Sequence, residues 1–110
     1  MKEIIFSEGD FTLIKESGIG ANNTLWEGLK VESDGLAEKY VVEVRLTSDG
    51  FPRFDGQPVH FKYTGVTIAH GMRMQTDTLT ETEEYITTLQ NALDFAKRVS
   101  KFLDESDEWK

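Results

Sequence analysis

The chain carries two histidines, His60 and His70, and no cysteine. Imidazole is therefore the one side chain that ordinarily titrates near neutral pH, and thiol nucleophiles, thiolate metal sites and disulfides are excluded. His70 shares a period-two face with Val66, Ile68, Met72 and Met74, whereas His60 falls among Lys62 and Thr64. An imidazole on an apolar face needs a hydrogen-bond partner or a depressed pKa. His70, Met72 and Met74 are thus where a pocket between sheet and helix would lie if the chain bound a small molecule or acted as an enzyme. A purely structural His70 at the end of a strand is the plainer reading.

Other catalytic patterns fail on spacing. The two histidines lie on unlike faces, so zinc ligation is not supported, and no Asp-x-Asp-x-Asp-Gly calcium loop occurs. No serine stands in a Gly-x-Ser-x-Gly elbow, and twenty acids give no pair that spacing selects. The stretch Ser17-Gly18-Ile19-Gly20-Ala21-Asn22-Asn23-Thr24 lacks the Gly-Lys-Ser/Thr ending of a phosphate loop and reads as an inter-strand loop. No cofactor or metal is expected, and a binding protein is favoured over an enzyme.

Residues suited to gripping another protein are easier to find. The segment Ser48–Pro58 holds both prolines of the chain with Phe51, Arg53 and Phe54, and anchors held in advance lose less entropy on binding. Trp26 points outward if Leu25, Leu29 and Val31 define the inward face of their strand. Phe95 and Phe102 fall at the far edge of a helical stripe, where a partner or a second copy could cover them.

The elements that must position these residues follow from periodicity. Lys39–Thr47 alternates apolar Tyr40, Val42, Val44 and Leu46 with mostly polar neighbours; Val59–Thr64 and the residues after Gly65 do likewise. Weaker strands are expected at Lys2–Ser7, Phe11–Glu16 and Thr24–Val31. Asp34-Gly35, Asp49-Gly50 and Asp55-Gly56 supply turn chemistry, which favours an antiparallel meander.

Thr80-Glu81-Thr82-Glu83 fits a capping box and predicts a helix over about 81–103. Its stripe is expected to centre on Ile86, Leu89, Leu93, Ala96 and Leu103, widened by Tyr85, Ala92 and Val99. Together with Phe95 and Phe102 the apolar arc spans roughly 200°, wider than one sheet face requires. Asp94 and Arg98 are spaced to pair along the helix. The tail 104–110 has no apolar periodicity and is expected to fray. The fold class is thus α+β in one domain, 1–110. Strands lie within 2–76 as a curled antiparallel β-meander of five to seven strands, packed against one long C-terminal α-helix.

Charge sets the expected partners. The net charge is −8 in 110 residues, with nine acids against four bases from Asp77 onward. Lys and Arg supply most of the affinity for phosphates, so neither nucleic acid nor an anionic membrane is an expected partner. The short apolar run at Ile4-Ile5-Phe6 resembles neither a signal peptide nor a span, so a cytoplasmic location is expected. A small acidic inhibitor or immunity-type protein masking a basic partner fits these features. A homodimer is the structural alternative, and acidity for solubility alone is the simplest.

Overall fold

The computed structural model describes residues 1–20, 23, 25–34, 40–46, 59–70 and 78–109. In chain order these form β1 (Lys2–Glu8), β2 (Phe11–Ile19), β3 (Leu25–Ser33), β4 (Tyr40–Leu46), β5 (Val59–His60), β6 (Tyr63–His70) and α1 (Leu79–Glu105). The class is α+β, as expected, but the sheet is not curled. The antiparallel meander covers β1, β2 and β3 only. β5 joins its edge parallel to β3, and β4 pairs with β6 in a separate antiparallel ribbon. The Asp-Gly turns meant to extend the meander involve residues outside those described.

The hairpin between β1 and β2 turns at Gly9-Asp10, where Gly9 takes φ +58°, a conformation that costs glycine little. The pairing of β1 with β2 slips between Ile4 and Phe6, leaving Ile5 as an extra residue. Side chains alternate faces every residue, so this bulge moves Phe6 onto the face of its partner Leu13. That slip turns Phe6 toward α1.

Two strand boundaries differ from expectation. Gly65 lies inside β6, and the interruption falls instead at Phe61 and Lys62. β2 runs on through Ser17, Gly18 and Ile19, which the glycine-rich reading had assigned to a loop. The physical reason is the same in both cases: a ladder partner holds glycine extended. Gly18 pairs with Trp26, and Gly65 with Arg45.

α1 begins two residues before the expected start and ends two beyond the expected stop. The Thr82 amide and hydroxyl both donate to the Thr78 carbonyl, at 3.1 and 3.0 Å, which makes Thr78 the N-cap. The same Thr-x-x-Glu spacing recurs at Thr78 and Glu81, so the motif was right in kind and shifted by two.

The core lies between α1, the meander and β6. Phe11, Leu13, Leu29, Tyr63, Ala92, Phe95, Ala96, Val99, Leu103 and Trp109 form one buried cluster. Phe95 stacks on Phe11 at 5.4 Å and tilts against Phe6 at 5.5 Å, while Phe102 meets Phe6 edge-on at 6.0 Å. Such aromatic contacts add about 0.5–1.5 kcal/mol beyond area burial.

The expected tail does not fray. Trp109 is 1% exposed and meets Tyr63 edge-on at 5.7 Å; its carbonyl accepts the Tyr63 amide at 2.9 Å. Lys15 reaches from β2 to Glu108 at 2.9 Å and lies 5.8 Å above the Trp109 ring. A lone tryptophan leaves no periodic trace, yet it removes more apolar surface from water than any smaller side chain.

Candidate functional site

The helical stripe faces a different way from the one expected, and this sets the surface. The buried positions are Ala92, Phe95, Ala96, Val99 and Leu103, whereas Ile86, Leu89 and Leu93 are 63%, 41% and 39% exposed. At 100° per residue the buried face is rotated by about 80° from the expected centre. Three aromatic rings of the meander and helix decide the phase. Phe6 and Phe11 fit around Phe95, and the small Ala92 and Ala96 let the helix approach.

This corrects the partner role expected for Phe95, which is fully buried by Phe6 and Phe11 of the same chain. Phe102 is half-buried against Phe6. The surplus width of the stripe is real but lies on the opposite edge. Leu79, 83% exposed, recurs seven residues before Ile86 and fourteen before Leu93, and Leu89 falls between the last two. These four leave one apolar strip on the N-terminal half of α1. It spans about 21 Å from Leu79 to Leu93 at 1.5 Å per residue.

A groove runs along the other flank of the same half-helix. It is lined by Asp10 from the β1–β2 turn and by Thr80, Glu83, Glu84, Thr87, Thr88 and Asn91. Three carboxylates and four neutral polar groups suit an extended basic segment better than an apolar ligand. Further along, Arg98 does not pair with Asp94. Its guanidinium lies 4.1 Å over the Phe6 ring and donates to Glu8 at 3.1 Å, while Gln90 donates to Asp94 at 3.0 Å.

Trp26 stands on the face of β3 away from the core, as expected, but it is half-buried rather than free. Its indole lies across Gly18, where an added Cβ would come within 3.1 Å of the ring. A groove of about 330 Å³ opens beside it, lined by Met1, Ser17, Ile19, Leu25 and Glu27 as well. The same outer face holds the buried Ile14 and an ion-pair cluster in which Lys2 bridges Glu32 at 2.7 Å and Glu16 at 3.8 Å. The hydrogen bond from Lys2 holds the Glu32 carboxyl below its ordinary pKa of 4.5, and the same bond raises Lys2.

Tyr63 serves the fold rather than the surface. β5 pairs with β3 only at Trp26 and Glu27, and beyond that point the Tyr63 hydroxyl accepts the Leu29 amide at 2.7 Å. Burial pushes the hydroxyl above the ordinary phenol value of 10, opposed by the Leu29 hydrogen bond and reinforced by Glu16.

Phe51, Arg53, Phe54, Met72 and Met74 lie outside the described residues, as does the side chain of His70, whose backbone ends β6. Among the described residues no cluster of three or more histidine, aspartate or glutamate side chains could hold a metal ion, and no helix is long and apolar enough to cross a membrane. The exposed strip was missed because leucine and isoleucine were assigned to the core on hydrophobicity alone. Its signal was the excess arc. The chain matches no family model, no curated protein and no solved structure.

Proposed function

We propose that this protein is a protein-binding module, in a non-catalytic role, that makes its contacts through the N-terminal half of α1. The observation that carries this reading is the strip of Leu79, Ile86, Leu89 and Leu93, four large apolar side chains left in water on one helical face. A contiguous apolar surface of this kind marks an interaction site more often than a scattered exposed leucine does. The carboxylate-lined groove on the other flank supports a basic partner, in keeping with an inhibitor or immunity-type role, and the net charge of −8 would speed its approach.

Affinity capture from native lysate tests the reading when wild type is run beside Ile86→Asp at low and high salt. The expected result is a partner held by wild type, lost from the variant, and weakened by salt through the carboxylates. Identical capture by the variant, with helix content unchanged, would remove the strip as the contact.

A further inference from the structure

The spacing of the apolar strip and the charges beside it say what kind of element it matches. Leu79, Ile86 and Leu93 recur every seven residues, which sets them about 10.5 Å apart along α1. A facing helix repeats its own face at that interval. An extended strand does not, because three residues cover about 10 Å and the third step turns the side chain to the opposite face. Charge adds the second half of the description. From Leu79 to Ala96 the helix holds no lysine or arginine. Glu83 stands one turn after Leu79 and Asp94 directly after Leu93, both exposed, so a carboxylate lies on the solvent side of the strip near each end. The first base of α1, Lys97, comes a turn beyond Leu93.

We infer that the strip takes a basic amphipathic helix of another protein, its apolar face on Leu79, Ile86, Leu89 and Leu93 and its lysine or arginine side chains reaching Glu83 and Asp94. This rests on the reading of the strip as a protein contact and names the element that fills it. The strip is about 21 Å long, so about 14 residues of a partner helix cover it. The four apolar side chains supply the buried contact, and the carboxylates at the rim set the sign of the partner and the speed of its approach. A second copy of this chain lacks the complement. Its own strip has the same carboxylates beside it, and the net charge of −8 opposes self-association.

Fluorescence anisotropy tests this with a labelled helical peptide of about 14 residues made of leucine and lysine, its leucines on one face. Two controls keep the length: the same residues in an order with no apolar face, and the same pattern with glutamate in place of lysine. Wild type should bind the patterned lysine peptide at about 100 micromolar or below, and both controls at least about tenfold more weakly. Ile86→Asp, with an unchanged far-ultraviolet spectrum, should lose about tenfold in affinity although it adds a carboxylate, which attraction by charge alone would turn into a gain. Glu83→Gln/Asp94→Asn should weaken binding about threefold at low salt and little at high salt. No binding of the patterned peptide, equal binding of the shuffled one, or binding undiminished in Ile86→Asp overturns the inference. So does a wild type that sediments as a dimer and becomes monomeric in Ile86→Asp, which would give the strip to a second copy. If lysate capture depends on Ile86 while the patterned peptide does not bind, the basic helix is wrong and the contact reading stands.

Discussion

The two halves of α1 have opposite fates. From Ala92 onward the helix presents alanine, phenylalanine and valine to a site shaped by Phe6, Phe11 and Leu13, and its buried residues are those of the core. Before Ala92 it carries Leu79, Ile86 and Leu89, and no described side chain there is fully buried, although Tyr85 reaches the cluster. Burial in this helix follows shape complementarity with the rings opposite and not the hydrophobicity of each residue. Leucines and an isoleucine stay in water on the same helix that buries two alanines.

The comparison can be broken most directly in the buried half. Phe95→Ala should cost about 3–5 kcal/mol by leaving a cavity between Phe6 and Phe11, whereas Ile86→Ala should stay within about 0.5 kcal/mol in urea unfolding of the monomer. Equal effects would mean that both halves are buried. Trp109→Ala should approach the Phe95 value, because the anchor of the buried half is itself 1% exposed.

Next in size is Tyr63→Phe, which leaves the Leu29 amide without its acceptor and should cost about 1–3 kcal/mol. It carries a pH signature. The hydroxyl binds its proton more tightly folded than unfolded, so its contribution is whole below pH 10 and declines as pH rises toward the folded value. Lys15, raised by its hydrogen bond to Glu108, loses its contribution in the same direction above its ordinary value of 10.5. Tyr63→Phe should therefore flatten part of the alkaline fall in a stability–pH curve. At the exposed end, Thr78→Ala should cost about 1 kcal/mol through loss of the cap, and Thr80→Ala almost nothing. The reverse order would return the helix start to Thr80.

What could be read from the residues alone was local. Alternation found the strands now seen as β1 to β6, with the break between the last two placed at Gly65 instead of at Phe61 and Lys62, and the Thr-x-x-Glu spacing found the helix within two residues. Long-range decisions were beyond that reading. The bulge at Ile5 turns one aromatic residue inward, and neither side of it breaks the local pattern. The phase of α1 depends on that turned phenylalanine, so an arc of 200° offered two faces and no local signal to choose between them. Trp109 was missed for a related reason. Its partners Tyr63 and Lys15 lie 46 and 94 residues earlier in the numbering, where periodicity in the tail could not point.

The Lys15–Glu108 bridge joins residues 93 apart, beside a tryptophan sealed against β6. On a growing polypeptide the β1–β2 hairpin has its partners within a few residues and can form early, as can α1 once it has been made. The closure through Glu108 and Trp109 draws β2 and β6 onto the residues after α1, across separations of 93 and 46 positions. Contacts of such long separation slow the search. The packing of Trp109 and the Lys15–Glu108 bridge are thus among the contacts of this fold with the greatest loop-closure cost.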